Sequence, residues 1–279
     1  MKKTLLMAAM SIILSACGGQ VTAKPLSICM QPGDRIVAIQ GCDAMSQPVR
    51  EADPVRSVAI QAQLPGPVVL WAGRKQEMAQ AVANFPTLIA ESKKYPGKFP
   101  MVYLYDEAGW CNTGLCWFDH EDTVLQGAAL AKANGMGSLI TILPDVILDS
   151  HFKMKDINAF AGISIDVYPS IRPTVPDFKG CKFSDNHLEN LFYCSAQKLR
   201  AHGFTGKIGY IFQGFGLTTD TPDQRTAYLT QQRQAINNAS AMGADAVMSW
   251  GCHLGAIELA EEPVLVPLCG TQYEGLVTP

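Results

Sequence analysis

The amino-acid sequence predicts an α/β protein folded as one (β/α)8 TIM barrel that is irregular in its first strands. From about residue 67 onward, short apolar runs alternate with longer stretches of helical pattern, which is typical of βα units around a parallel sheet. Three helical stretches lead into a glycine, at Gly135, Gly203 and Gly243, as expected at a helix C-terminus. The roughly 260 residues after the N-terminal segment are long for a simple sandwich and suit one such barrel.

This alternation places strands and helices along one domain without a repeat of fixed period. Strands are expected over residues 68–71, 101–107, 138–143, 162–168, 207–213 and 246–250. Helices are expected over residues 76–92, 121–134, 186–202 and 223–242. An eightfold barrel needs further strands, and the candidates for them are residues 35–40, 57–61 and 264–268.

The first residues have the pattern of an export signal. Lys2 and Lys3 give a positive flank, and residues 4–14 form an apolar run that is too short to span a bilayer. The run ends in LSAC (residues 14–17), which resembles the lipobox of bacterial lipoproteins. The resemblance implies that Cys17 carries the lipid. The alternative is an ordinary secretory signal in which this cysteine is incidental.

The lipobox divides the precursor into three parts. Residues 1–16 are expected to be the signal peptide, residues 17–27 a tether and residues 28–279 a single barrel domain. The residue after Cys17 is not Asp, which by the same resemblance fits sorting to the outer membrane. The expected location is therefore the cell envelope, with the protein bound to the membrane through its lipid.

Export changes how the other eight cysteines are interpreted, because an oxidising periplasm permits disulfides. Loop-closure entropy favours pairs of near neighbours. The sequence therefore predicts sequential disulfides that join Cys29 with Cys42, Cys111 with Cys116, Cys181 with Cys194, and Cys252 with Cys269. The alternative is a zinc site, but none of these spacings shows paired C-x2-C ligands.

The charge pattern argues against one class of partner. The formal net charge is −3, and the Lys and Arg residues are scattered without forming a basic stripe. Nucleic acid is therefore not an expected partner. The sequence predicts no cofactor and leaves the oligomeric state open.

Side-chain alternation in two strands indicates which residues face the barrel axis. In VYLYDE (residues 102–107) the aliphatic residues would face the helices, which directs Tyr103, Tyr105 and Glu107 inward. In ISIDVY (residues 163–168) the same division directs inward Ser164, Asp166 and Tyr168. Two separate strands therefore predict polar side chains inside the barrel.

Polar and aromatic side chains are predicted at the C-terminal ends of the strands, where barrel enzymes carry their active sites. They are Glu107, Asp166, Tyr168, Gln213, Asp145, Trp71 and Trp250. Such a ring suits carbohydrate, because carboxylates and amides hydrogen-bond sugar hydroxyls and aromatic faces stack on sugar rings. Two carboxylates can also divide the acid role and the base or nucleophile role of hydrolysis.

Four segments at these positions resemble glycoside hydrolases with a (β/α)8 barrel. The resemblance spans residues 100–251 and rests on YLYDEAGW (103–110) as the acid-bearing fourth strand, DVYPS (166–170) as the sixth, IFQGFG (211–216) as the seventh and DAVMSWG (245–251) as the eighth. It implies that Glu107 is the proton donor. With Asp166 as the second catalytic carboxylate, the candidate substrate-binding residues are Asp106, Asp145, Tyr168, Gln213 and Trp250.

Two residues depart from the pattern of that family. Retaining members carry a second Glu as nucleophile in the seventh strand, and here Gln213 stands in that place. Asp106 stands where the best-known members have Asn. Either Asp166 or Asp145 takes the second catalytic role, or the barrel has lost hydrolysis and only binds its ligand.

Three functions are compatible with these residues. The first is a glycoside hydrolase that acts on or binds envelope or environmental carbohydrate. The second is a catalytically inactive barrel that binds carbohydrate or protein partners. The third is a metal-dependent hydrolase in which a divalent cation is held by Glu107, Asp145, Asp166 and His253. The third function lacks any spaced His motif, so no metal site is predicted.

Overall fold

The computed structural model describes most of the chain between residues 25 and 273. The described ranges are residues 25–30, 38–40, 42–46, 53–72, 78–108, 111–112, 115–168, 180–213, 221–250 and 271–273. Within these ranges, no helix is long and apolar enough to cross a membrane.

Eight parallel strands form a nearly closed barrel, which confirms the predicted fold class. In chain order they are β1 (Leu26–Met30), β3 (Ala44–Ser46), β4 (Val69–Trp71), β5 (Met101–Ala108), β8 (Gly137–Ile142), β9 (Gly162–Val167), β10 (Lys207–Gln213) and β11 (Ala246–Trp250). Each strand pairs with its neighbour in this order, and β11 returns to pair with β1. Between β3 and β4 the contact is a single parallel bridge from Met45 to Val68.

Among the described residues, four short strands lie outside the barrel. β2 (Ala38–Gln40) pairs in antiparallel fashion with β12 (Thr271–Tyr273). β6 (Cys111–Asn112) and β7 (Leu115–Cys116) form a hairpin directly after β5, in which Cys111 faces Cys116 along the backbone. The hairpin therefore follows the C-terminal end of the fourth barrel strand.

In the described part of the chain, six α-helices connect and cover the strands. They are α1 (Pro54–Gln61), α2 (Met78–Ser92), α3 (Trp117–Ala133), α4 (Pro144–Leu148), α5 (His187–Ala201) and α6 (Pro222–Asn237). Local sequence explains several of their starts. Asp53 and Asn186 accept hydrogen bonds from the backbone N–H groups of Val55 and Leu188, and Thr221 with Gln224 forms a capping box.

The predicted candidates for the missing strands were wrong where the structure describes them. Residues 57–61 form the second half of α1, because Asp53 caps this helix and Pro54 occupies its first turn. Residues 38–40 pair with β12 outside the barrel, and residues 264–268 lie outside the described ranges. The first two barrel strands are instead β1 and β3, so the barrel already includes the last two residues of the predicted tether.

Two apolar cores lie on the two faces of the barrel wall. The outer core fills the space between strands and helices and includes Ile163, Ile165 and Val167 of β9. The inner core lies inside the barrel and consists of Ile28, Met30, Val69, Trp71, Tyr103, Leu139, Ile211 and Met248. The alternation predicted for β9 is therefore confirmed by its aliphatic residues.

Two of the predicted disulfides are present. Cys29 of β1 is bonded to Cys42, and Cys181 is bonded to Cys194 of α5, each with a Cα–Cα distance of 5.9 Å. The side chains of the other two predicted pairs, Cys111 with Cys116 and Cys252 with Cys269, lie outside the described part of the chain. Sequential pairing is therefore confirmed at the first and third pairs.

Candidate active site

The end of β5 departs from regular strand geometry. Along its pairing with β8, Tyr103 is opposite Leu139, Tyr105 is opposite Ile140 and Ala108 is opposite Ile142. A regular pair advances equally on both strands, so β5 gains one residue before Tyr105 and a second before Ala108. Such β-bulges bend a strand and redirect its side chains, and they are frequent beside active sites.

The first bulge changes which side chains face the barrel axis. Tyr103 belongs to the inner core, as predicted, whereas Leu104 and Tyr105 both belong to the outer core. Tyr105 packs edge-on against Trp117 of α3, with ring centroids 4.9 Å apart. The predicted inward direction of Tyr105 was therefore wrong, because simple alternation fails where a strand contains an extra residue.

Asp106 is joined to the barrel interior by a chain of hydroxyl groups. The Tyr103 hydroxyl donates to Asp106 Oδ1 at 2.8 Å and is also hydrogen-bonded to Thr141 Oγ1. Thr141 Oγ1 in turn lies 2.7 Å from Ser164 Oγ, and the Ser164 hydroxyl donates to the carbonyl of Ile140 at 3.2 Å. These contacts connect β5, β8 and β9 inside the barrel.

Asp166 and Tyr168 lie at the end of β9, beside this series of hydrogen-bonded hydroxyl groups. Asp166 is 3% exposed, and Tyr168 packs on the inner core. Burial raises the pKa of Tyr168 well above its usual value, and the nearby carboxylates of Asp166 and Asp106 raise it further. Burial, Asp106 and Asp166 likewise raise the pKa of Tyr103. The two carboxylates therefore act on the same two phenols at the barrel mouth.

Glu107 has an unusual backbone conformation. Its φ is +51°, and among the described residues it has the only positive φ outside glycine. This conformation costs a residue with a side chain on the order of 1–3 kcal/mol, and it persists only where the surrounding structure holds it. The Glu107 side chain is half-buried. Burial raises the pKa of the neighbouring Tyr105 to about 12, and the charges of Asp106, Asp119 and Glu107 add to this in decreasing order.

Trp71 supports the site from the neighbouring strand. Its ring stacks on Tyr103, with centroids 4.2 Å apart and an interplanar angle of 10°. The Gln61 side chain holds the main chain of Trp71, accepting from its N–H at 2.7 Å and donating to its carbonyl at 3.1 Å. Trp71 is 3% exposed, so the structure places it in the interior rather than as a platform open to solvent.

The structure describes the remaining predicted residues to different extents. Asp145 is exposed in the first turn of α4, directly after β8. Gln213 and Trp250 are opposite each other at the ends of β10 and β11, and their side chains lie outside the described part of the chain. His253 also lies outside it. In the described ranges, no group of three or more His, Cys, Asp or Glu residues could hold a metal ion.

Two polar residues of the interior were not among the predicted site residues. Thr141 follows Leu139 at the inward spacing of two residues in β8, and Ser164 precedes Asp166 at the same spacing in β9. Applying the alternation rule to β8 as well as to β5 and β9 would have identified Thr141. The connection between Tyr103 and Asp106 could not be found in this way, since it depends on the bulge.

Comparison with known proteins supports the fold. No protein-family model and no curated protein matches the chain. Similar solved structures include an exo-β-1,4-mannosidase from Opitutaceae bacterium strain TAV5 (TM-score 0.53, 12% identity, 81% of this chain and 52% of that one). Another is a Cellulomonas fimi endo-β-1,4-mannanase double mutant (TM-score 0.51, 11% identity, 84% of this chain and 66% of that one). A third is a hyperthermophilic endo-β-1,4-glucanase in complex with substrate (TM-score 0.50, 12% identity, 82% of this chain and 86% of that one). The chain therefore shares the (β/α)8 barrel fold of these glycoside hydrolases.

Proposed function

We propose that the protein is a lipid-anchored glycoside hydrolase that acts on envelope or environmental carbohydrate, with Glu107 as the general acid. The observation that carries this proposal is the position of Glu107. It lies at the end of the fourth barrel strand, in a strained conformation beside a bulge, at the same mouth as Asp166. Strained residues cluster at functional sites, and barrel enzymes act at this face.

The chemistry needs two carboxylates in different roles. Glu107 donates its proton to the oxygen of the leaving group while the bond from that oxygen to the anomeric carbon breaks. Asp166 either attacks the anomeric carbon or removes a proton from the water that attacks it. Asp106, Asp145, Tyr168, Gln213 and Trp250 are proposed to bind the sugar.

The similar barrels suggest which glycans to test first. The three are a β-1,4-mannosidase, a β-1,4-mannanase and a β-1,4-glucanase. Since the similarity supports the fold alone, we propose β-1,4-linked glycans as a starting class of substrate. Peptidoglycan strands belong in the same panel because they are β-1,4-linked and lie in the cell envelope.

Hydrolysis of such a panel is the direct test of the proposed function. The purified protein is expected to release reducing ends from at least one β-1,4-linked oligosaccharide, measured by chromatography of the products. Binding without cleavage would support the inactive carbohydrate-binding barrel instead, in agreement with Gln213 in the seventh strand. A protein that neither cleaves nor binds any glycan of a broad panel would contradict both functions.

The lipid anchor has its own test. Cys17→Ser is expected to abolish incorporation of labelled fatty acid and to leave the precursor uncleaved, because the thiol is the group that receives the diacylglycerol. Metabolic labelling followed by mass measurement of the N-terminal peptide checks both effects. Cys29→Ser serves as the control, because it removes a disulfide cysteine and should leave lipid labelling intact. Unchanged labelling of Cys17→Ser would exclude the anchor.

A further inference from the structure

The bulged end of β5 is held by a bond that a regular strand could not form. The Tyr103 hydroxyl donates to Asp106 Oδ1 at 2.8 Å, across the two outward residues Leu104 and Tyr105. In a regular strand, residues three apart point to opposite faces. Tyr103 and Asp106 meet on one face only because the bulge adds a residue between them. The bond therefore favours the bulged over the regular conformation.

Tyr103 is itself fixed from several sides. Its ring stacks on Trp71, and Gln61 holds the main chain of Trp71 with two hydrogen bonds. Its hydroxyl is also bonded to Thr141, which continues to Ser164. Tyr103 is 1% exposed, so water does not compete for these contacts. A side chain held in this way can fix the position of the carboxylate that accepts its hydrogen bond.

Glu107 follows Asp106 directly, and its backbone has the positive φ described above. We propose that Tyr103 is a positioning residue, which keeps the end of β5 bulged through its bond to Asp106 and thereby sets the direction of the Glu107 side chain. The catalytic consequence rests on the proposed function of Glu107. The structural part, that Tyr103 maintains the conformation of residues 106 and 107, does not.

The test is Tyr103→Phe in the full-length protein. Phenylalanine keeps the ring, its stacking on Trp71 and its volume, and removes only the hydroxyl. With Glu107 misdirected, kcat is expected to fall by about 10- to 100-fold, the scale of a small misplacement of a reacting group. KM is expected to change much less, because sugar contacts elsewhere at the mouth remain.

Tyr105→Phe is the matched control. Tyr105 lies two residues further along the same strand, is 1% exposed, and its hydroxyl has no hydrogen-bond partner among the residues that the structure describes. Removing that hydroxyl should leave both kcat and the stability close to those of the unmodified protein. A comparable loss in both variants would show that any buried phenol of β5 is needed for packing, which would overturn a specific role of Tyr103.

Variants of Asp106 distinguish the effect of its hydrogen bond with Tyr103 from the effect of its negative charge. Asp106→Asn keeps an oxygen that can accept from Tyr103, whereas Asp106→Leu has no acceptor. Crystal structures are expected to show a positive φ at Glu107 in Asp106→Asn, and a regular strand with a negative φ in Asp106→Leu and Tyr103→Phe. A positive φ retained in Tyr103→Phe would overturn the inference.

The kcat values and the crystal structures distinguish a failure of the positioning role of Tyr103 from a failure of the proposed function. If the unmodified protein cleaves no glycan, the proposed function fails, and the crystal structures still decide whether Tyr103 holds the bulge. If the unmodified protein is active and Tyr103→Phe has the same kcat, the positioning role fails while hydrolysis by Glu107 stands.

Discussion

Replacing Glu107 with glutamine is expected to lower the turnover of a cleaved glycan by about 10²- to 10⁴-fold, the usual contribution of a positioned general acid. Glutamine keeps the length and the hydrogen-bonding capacity of glutamate but carries no proton that can be transferred to the leaving oxygen. Sugar binding should therefore persist, and the loss should appear in kcat. Steady-state kinetics together with calorimetric titration of the same oligosaccharide measures both quantities.

Glu91→Gln is a suitable control for this substitution. Glu91 lies in the last turn of α2, where its carboxylate forms a salt bridge with Lys94 at 2.7 Å. Glu91→Gln makes the same chemical change at the end of α2 that leads into β5, away from the mouth, and should leave turnover unaltered. Full activity of Glu107→Gln would exclude Glu107 as the acid, and Asp166→Asn would then be the next variant to measure.

Removing the disulfide between Cys181 and Cys194 is expected to lower the melting temperature of the protein. The bond closes a loop with a sequence separation of 13. By chain entropy, a loop of this size contributes about 3 kcal/mol, which corresponds to a decrease in Tm of about 6 to 12 °C for a domain of this size class. Thermal unfolding of the Cys181→Ser, Cys194→Ser double variant, followed by circular dichroism, measures this decrease.

The bond between Cys29 and Cys42 provides an internal comparison. It has the same sequence separation of 13, so loop entropy alone predicts an equal effect for its removal. It also joins β1 to the segment that leads into β3, the strand that contacts β4 through a single bridge. A larger loss at this second bond would therefore report on closure of the barrel. Equal melting temperatures of the oxidised protein and both double variants would contradict the predicted stabilisation.

Most of the barrel could be predicted from sequence because its later strands are apolar runs bounded by turns. The predicted ends of the six later strands agree with the structure to within one residue, and β10 and β11 agree in full. β3 could not be found, because its three residues are too few to show a period of two. Residues 57–61 were predicted as a possible strand, but they are helical because Asp53 caps α1 and Pro54 occupies its first turn.

The candidate site was predicted in outline and missed in detail. Strand-end position brought Glu107, Asp166 and Tyr168 to one mouth, since this depends only on strand order. The direction of each side chain on β5 depends instead on two bulges. No residue of β5 is a glycine, the usual sequence sign of a bulge, so the outward position of Tyr105 and the bond from Tyr103 to Asp106 required the structure.

The polarity of β1 has a consequence for how the protein meets its substrate. β1 begins at Leu26, at the face of the barrel opposite the mouth, because parallel strands all end at the mouth. With Cys17 held in the membrane as proposed, the nine residues to Leu26 reach at most about 30 Å, at 3.3–3.6 Å per residue. The face at which β1 begins is then the one tethered to the membrane, and Glu107 lies at the opposite face. Polymers in the space beyond the membrane can enter such a mouth, whereas sugars attached to lipids of the same membrane would have to reach around the barrel.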